Sequence, residues 1–558
     1  MNITKQKYYI IGLLFCINLL LSTTFIIYHK YWYIYLVILA PQSIISSFSV
    51  VLILIKRFLY IEPEINRIEP KNYIYIVPCY NESEKELTNT LNSLVLQRTV
   101  EGDKRMLFII CDGKVKSTDN DISTDMILKK ILNINELGEY YTYKTWDNNN
   151  DLKMYHGKYI TSSNEINYIL FIKEHNYGKR DSLVLARRLC YSYNINRADE
   201  DELSSDIYDI FTKYYSNEKI HIPIDYIIGI DADTIFEYNN SYRLIGSIYN
   251  KMDVYGCVGY ITLNNNNFSL GNMYQYGEYT FAQCLKRYAQ SIITYKVSCL
   301  SGCNQILRIS EETCGDKILD VFNYKPTKDD NIMTHIRSYA SEDRNHVCHM
   351  LSIYPYVKTI QNLNAMAYTN VPTSINVFLS QRRRWNLGAN CNDIMLIYLP
   401  RVNIFERISS FVNVMNFCLT PFIFIATIYF IIAIARHSSL LMLYLSIMLF
   451  IPIFYSLIIP INIKPQPLLY YYISYLTFYI FSSIVNLATY TYSIIYMDTI
   501  TWGKTRSIIS IENIDDNNDN YIELEDINYL DIETKISKYT ENIININQIV
   551  TNIQITEV

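Results

Sequence analysis

Two carboxylates two residues apart close an apolar run in "DYIIGIDADT": Asp231 and Asp233. Residues i and i+2 aim both side chains into one pocket, which suits a hard divalent cation that also holds phosphate oxygens. Asp112 closes "RMLFIICDG" in the same way. One such aspartate is ordinary turn chemistry; the pair gains weight from the residues that follow it. "SEDRNHVC" sets Glu342 and Asp343 ahead of a helical pattern, Val347, Met350, Leu351 and Tyr354. Acids in a first helical turn either partner the helix dipole or supply a general base for a hydroxyl. "LSQRRRWNLG" comes next, at Leu379–Gly388, after a helix start at Pro372-Thr373-Ser374. On a helix, Gln381, Arg384 and Trp385 share one face. Arg offers a bidentate fork to phosphate, Trp a flat surface for a sugar, and Gln hydrogen bonds to sugar hydroxyls. Arg382 and Arg383 read as structural or membrane-facing charges.

These residues need strands to hold them. "YIYIVPCYNE" gives an apolar run from Tyr73 to Val77, followed by Leu87, Leu91, Leu94 and Val95 at helical spacing. "YILFIKEHNYGKRDS" reads as a strand followed by a helix capped at Asp181-Ser182, and "YGCVGYIT" as another strand. Strands alternating with helices predict an α/β fold with a mostly parallel, doubly wound sheet. In such sheets ligands bind outside the C-terminal ends of the strands, where Asp112, Asp231 and Asp233 fall.

The chain has 558 residues, half of them apolar and unevenly spread. Tyr8–Tyr28 and Tyr33–Ile55 are each near the twenty residues that cross a bilayer. No small-residue cleavage pattern follows the first, against a signal peptide. Phe411–Ala435, Leu440–Ile461 and Leu468–Tyr496 are three more candidates, although Asn403–Asn416 also fits an amphipathic helix along the interface. Five crossings would put Trp502–Arg506 on the far side from the N-terminus. Lys5 and Lys7 before the first run, with Lys56 and Arg57 after the second, place both ends of this hairpin and the central domain in the cytoplasm. The twelve scattered cysteines fit a reducing compartment. His346, Cys348 and His349 lack a partner pair, so no zinc site is expected. The net charge of −5 is mild, the acid gathers after Ile511 in a tail that reads as flexible, and no nucleic-acid partner is expected. The layout is a membrane hairpin (1–60), a catalytic domain (61–400), interfacial and membrane helices (401–500), and the "WGKTR" stretch with the acidic tail (501–558).

The ordered set Asp112, Asp231-Ala232-Asp233, Glu342-Asp343-Arg344 and Gln381-Arg382-Arg383-Arg384-Trp385 resembles the processive, membrane-embedded family 2 glycosyltransferases. Within them it is most similar to chitin synthases. "CLSGCNQILRI" (Cys299–Ile309), "NYGKRDS" (Asn176–Ser182) and "WGKTR" (Trp502–Arg506) strengthen that likeness. The last two look like the fungal group with membrane spans ahead of the catalytic domain. The resemblance covers roughly Val77 to Arg506. It departs at Ser301, where members usually have Pro, which bears on loop geometry more than chemistry. The long N-terminal extensions of many members have no counterpart, and the regulation they carry is not expected.

The resemblance implies a GT-A-like domain inserted between α-helical membrane segments, with UDP-N-acetylglucosamine bound over the strand ends. Tyr80, Glu82, Asp112 and Lys179 would hold the uridine end or nearby phosphate. Asp233, helped by Asp231, would bind Mg²⁺ or Mn²⁺, and Arg384 would steady the departing UDP. Asp343, beside Glu342, would deprotonate the 4-hydroxyl of the chain end. Gly302, Cys303 and Gln305 would line the acceptor or donor-sugar pocket, and Gln381 and Trp385 would meet the terminal sugar. The implied partners are the growing chitin chain, the lipid bilayer of the plasma membrane, and a second copy in a homodimer. Cellulose-like or hyaluronan-like synthesis is the near alternative. A catalytically silent scaffold is the distant one, since no catalytic acid is missing.

Overall fold

The computed structural model describes residues 2–59, 67–117, 121–135, 138–146, 148–162, 164–197, 205–216, 221–264, 267–436, 451–463, 467–499 and 508–509. Trp502–Arg506 and the acidic tail lie outside the described residues, as does much of the Leu440–Ile461 run.

The apolar runs that end in aspartates are strands of one sheet. In chain order the strands are β1 (Asn72–Cys79), β2 (Lys104–Cys111), β3 (Glu139–Thr145), β4 (Asn148–Ile160), β5 (Glu165–Lys173), β6 (Tyr226–Gly229), β7 (Ile235–Phe236), β8 (Val254–Leu263), β9 (Gln305–Arg308) and β10 (Lys358–Thr369). They lie side by side in the order β3-β4-β5-β2-β1-β6-β9-β8-β10-β7. The central strands β5, β2, β1 and β6 pair in parallel, as do β8 and β10. β4, β7 and β9 run against the rest, so the sheet is mixed rather than uniformly parallel. The cause at β3-β4-β5 is connection length. These strands are joined by tight turns, and a parallel crossover needs a dozen residues or more.

The helices used below are α1 (Ile3–Ile27), α2 (Leu36–Leu59), α3 (Glu84–Val95), α4 (Lys179–Asn194), α5 (Asn240–Ile248), α6 (Leu270–Phe281), α7 (Glu342–Ile353), α8 (Ile375–Tyr398), α9 (Ile404–Cys418), α10 (Thr420–Arg436) and α11 (Leu468–Ile495). Both faces of the central sheet are covered, which is why its strands are apolar without interruption. Tyr73, Tyr75 and Val77 of β1 pack with Leu87, Leu91 and Leu94 of α3 and with Leu244 and Ile248 of α5. Ile74 and Ile76 point the other way, towards Leu185, Ala186 and Leu189 of α4. Ser83 and Glu86 close a capping box that starts α3. α4 starts differently from the expectation: Gly178, at φ 90°, precedes it and provides no side-chain cap. The Asp181 carboxylate turns instead to Lys173.

α1, the stretch His29–Arg57 and α11 are long and apolar enough to cross a membrane. The expected Phe411–Ala435 span is two helices: α9 and α10 meet at a bend of 80°. α9 is two-sided, with Glu406, Ser410 and Val412 buried and Ile404, Phe405, Ile408 and Phe411 exposed. Lys7 pairs with Asp498 at 2.6 Å, and Gln6 accepts a hydrogen bond from the Ile332 amide at 3.0 Å. The end of α11 therefore lies beside the start of α1.

α6 ties this domain to α11. A Cβ on Gly277 would lie 2.6 Å from the Phe478 Cβ and 2.7 Å from the Ser474 carbonyl oxygen, so the helices touch at bare backbone. Gly277→Leu is expected to destabilise the fold by about 1–3 kcal/mol or more through overpacking. The check is a lower thermal unfolding midpoint of the detergent-solubilised protein; an unchanged midpoint would contradict this packing.

Candidate active site

The turn Asp231–Thr234 continues directly from β6. The Ile230 amide still bonds to the Ile76 carbonyl, Thr234 N–H closes the turn onto the Asp231 carbonyl at 3.0 Å, and Thr90 of α3 donates to the Ala232 carbonyl at 2.9 Å. Both aspartates are thereby fixed at the sheet's edge. Lys179 Nζ lies 2.7 Å from Asp231 Oδ1 and 3.5 Å from Glu342 Oε1. Asp233 keeps a hydrogen bond from the Thr234 hydroxyl at 3.3 Å. Burial, then the charges of Asp231, Glu82 and Glu86, push the Asp233 carboxyl up to about 7. Among the described residues no three His, Cys, Asp or Glu side chains converge as a ready-made metal cage. Hard carboxylate oxygens with too little compensating charge fit a divalent cation whose other ligands come from a substrate diphosphate and water.

The second group of acids enters through a strained residue. Ser341 has φ 142° and ψ 58°, a region that costs a non-glycine residue about 1–3 kcal/mol. α7 follows, with Glu342 and Asp343 in its first turn. Asp343 Oδ2 accepts the Gly302 N–H at 2.7 Å. Its Oδ1 is buried without a hydrogen-bond partner. Burial pushes the Asp343 carboxyl up to about 6, with Lys179 opposing and Glu342 and Asp231 adding to the rise. For Glu342 the upward push of burial is outweighed by Lys179, its own backbone amide and the arginines 384 and 180, which hold it below the usual range. Adjacent acids are thus driven apart, one kept ionised and one poised to take a proton near neutral pH.

The loop that meets Asp343 is well ordered by its neighbours. Ser301 has φ −60°, the value a proline would impose, and its hydroxyl accepts from Arg287 Nη2 at 2.9 Å. Serine therefore keeps the backbone where the family's proline would place it. A Cβ on Gly302 would come within 2.7 Å of Asp343 Oδ1. Cys303 is half-buried, and burial followed by the Asp231 charge pushes its thiol well up, so it stays neutral. Gln305 is buried beside β6, paired across the sheet with Gly229 and with its side chain against that glycine.

At the end of β2, Asp112 is buried in an ion network. Lys173 Nζ lies 2.6 Å from its Oδ1 and 2.7 Å from Asp181 Oδ2, and the Tyr177 amide also reaches Asp112 Oδ1 at 3.2 Å. Tyr143 donates to Asp181 at 2.8 Å. Burial raises the Asp112 carboxyl. Glu82, raised to about 7 mainly by burial, accepts the Tyr80 amide at 2.7 Å. Tyr80, Glu82 and Asp112 stand together at the β1 and β2 ends, whereas Lys179 belongs with Asp231 and Glu342. Lys173 went unread in the sequence, and Asp181 was read only as a helix cap. Their signal was a lysine closing an apolar strand, with an aspartate eight residues on.

On α8 the arginines divide. Arg382 is buried, bonded to both oxygens of Glu278 at 3.0 and 3.1 Å, and donates to Gln381. Its guanidinium lies 4.3 Å from the Trp385 ring centroid and 4.5 Å from that of Phe378. Tyr279 meets Trp385 edge-on at 5.8 Å, and Trp385 remains 42% exposed. Arg382 is thus the backing of Trp385. Arg383 is buried too, so neither faces a membrane. Arg384 faces the acids: burial lowers its guanidinium, while Glu342 and Asp231 oppose that.

The chitin synthase family model matches residues 53–541. The chain belongs to the chitin synthase family. Chitin synthase 8 of Gibberella zeae is 33% identical over 509 residues, covering 86% of this chain and 75% of its own. Chitin synthase 8 of Verticillium dahliae is 31% identical over 448 residues, covering 74% of this chain and 72% of its own. The protein is therefore a glycosyltransferase of the chitin synthase class. Among solved structures, a mannosyltransferase of Pyrobaculum calidifontis in complex with GDP-Man and Mn²⁺ aligns at TM-score 0.41 and 12% identity, over 80% of this chain and 96% of its own. That likeness is too distant to carry an argument.

Gly302→Ala is expected to push Asp343 out of line, lowering kcat roughly tenfold to a hundredfold. Turnover on a preparation with an unchanged thermal midpoint checks this; unchanged turnover would contradict the close approach.

Proposed function

We propose that this chitin synthase polymerises N-acetylglucosamine from UDP-N-acetylglucosamine into β-1,4-linked chitin by inverting transfer, with Asp343 as general base. The observation that carries the proposal is the Asp343 carboxylate, with Oδ2 held by the Gly302 amide and Oδ1 buried without a partner. An oxygen so placed is held in position to accept a proton.

The residues divide the work. Tyr80, Glu82 and Asp112 hold the uridine end over β1 and β2. Asp233 and Asp231 would hold Mg²⁺ or Mn²⁺, which supplies positive charge to the departing diphosphate. Arg384 offers its fork to the same phosphates from beside Glu342. Trp385 and Gln381 receive the chain end. Asp343 Oδ1 takes the proton of the 4-hydroxyl, and O4 attacks the anomeric carbon on the face opposite UDP. The bond from that carbon to the diphosphate oxygen breaks, UDP leaves with the electron pair, and the new linkage is β. Lys179 keeps Glu342 ionised and at its station. Residues 1–60 and 401–500 form the membrane part through which the polymer leaves, and residues 61–400 work on the cytoplasmic side of the plasma membrane, by the placement of Lys5, Lys7, Lys56 and Arg57.

Purified protein in lipid, given UDP-N-acetylglucosamine and a divalent metal, is expected to make insoluble, chitinase-sensitive polymer. No polymer with any divalent metal, or equal use of UDP-glucose, would overturn the proposal. Asp343→Asn should abolish turnover and leave UDP binding largely intact. The pH dependence has a definite sign. A base works only when ionised, so kcat should be full above and fall as pH drops through about 6, where burial has pushed the Asp343 carboxyl. An acid limb near pH 4, the range of an unshifted carboxylate (about 3.9), would exclude Asp343 from that role.

A further inference from the structure

α8 does more than present Arg384 and Trp385. One to two turns further on, it forms a seat for the first turn of α7. Gly388 is buried against the strained turn that precedes Asp343: a Cβ there would lie 2.4 Å from both the Ala340 carbonyl oxygen and the Ser341 Cβ. Asn392 donates to the Gly388 carbonyl at 2.8 Å and accepts from Asn345 Nδ2 at 2.9 Å. Asn345 in turn accepts from Arg180 at 3.1 Å, and its amide caps back onto the Ser341 carbonyl at 2.9 Å. Asp393 Oδ1 accepts from Arg344 Nη2 at 2.6 Å. Asp393 is buried and is also held by Ser410 and Asn413 of α9, each at 3.2 Å.

We infer that Asp393, through its ion pair with Arg344 and together with the bare backbone at Gly388, is a positioning residue that sets Asp343 against the acceptor. This rests on the reading of Asp343 as the base. Ser341 cannot hold φ 142° on its own preference, and such a conformation persists only where its surroundings over-determine it. Gly388 blocks the turn on one side. The Arg344–Asp393 pair anchors the residue directly after Asp343, and Asp393, buried and held also by Ser410 and Asn413, gives that anchor a fixed end. Because Arg384 lies on the same helix, α8 links the diphosphate arm to the seat of the base. The link to α9 extends this seat to the interfacial helix that bends into α10.

The test is a set of variants of the full chain in lipid, read by kcat, donor KM, UDP binding and thermal midpoint. Asp393→Asn should lower kcat roughly tenfold to a hundredfold, the cost of misplacing a reacting group by about 1 Å, with donor KM and UDP binding nearly unchanged. Asp393→Glu, which keeps the charge, should recover most of the loss. Arg344→Gln should match Asp393→Asn, and the double variant should be no worse than either single one. Gly388→Ala should show the same selective fall in kcat. If Asp393→Asn does not fold, Arg344→Gln and Gly388→Ala decide by the same readouts. A rise in donor KM in step with the loss of kcat, additive single effects, or no effect would overturn the inference. Asp343→Asn is run alongside: turnover retained there removes the base reading itself, whereas a dead Asp343→Asn with normal Asp393 and Gly388 variants removes only the seat.

Discussion

The burial of several carboxylates together is the constraint on which this site depends. Asp231, Asp233, Glu82, Glu342 and Asp343 gather at the end of one sheet, where low dielectric strengthens every charge. The Lys179 ammonium spans two of them, Asp231 at 2.7 Å and Glu342 at 3.5 Å, and so joins the turn after β6 to the start of α7. It does not neutralise the group. Burial, with this surplus of charge adding to it, raises Asp233 and Asp343, while Lys179 and its arginine neighbours keep Glu342 ionised. On the proposed mechanism the same imbalance attracts a cation with its diphosphate and leaves one carboxylate ready for a proton.

α8 converts helical periodicity into a division of labour. Arg382 turns inward to Glu278 and stacks on Trp385. Arg384, two residues on, turns to the acids. Gly388 and Asp393 lie against α7. Arg382 and Arg384 therefore have separate surroundings although they are two residues apart in sequence.

The strands that were legible were those buried on both faces, because burial writes an uninterrupted apolar run: β1, β2, β5, β6 and β8. β3 and β4 are rich in Tyr, Asn and Asp, and β10 carries Gln361, Asn362 and Asn364, so none of them shows that run. The carboxylates and Arg384 could be read because their chemistry is in the residue type. Lys179 was read as a phosphate ligand and is found between two acids. Lys173, Asp393 and Gly388 were hidden because their roles lie in long-range pairing or in closeness of approach. The bend between α9 and α10 was hidden because apolar composition continues across Leu419.

On the proposed mechanism Asp343 faces the acceptor while Asp233 and Arg384 hold the donor diphosphate. The decisive measurement is a cryo-EM map of the protein in lipid nanodiscs with UDP, Mn²⁺ and a short chitin oligomer. The metal is expected on Asp233, the diphosphate beside Arg384, and Asp343 Oδ1 within hydrogen-bond reach of the oligomer's 4-hydroxyl, with the terminal sugar on Trp385. A diphosphate bound away from Arg384, or a chain end that contacts another acid in place of Asp343, would contradict that mechanism.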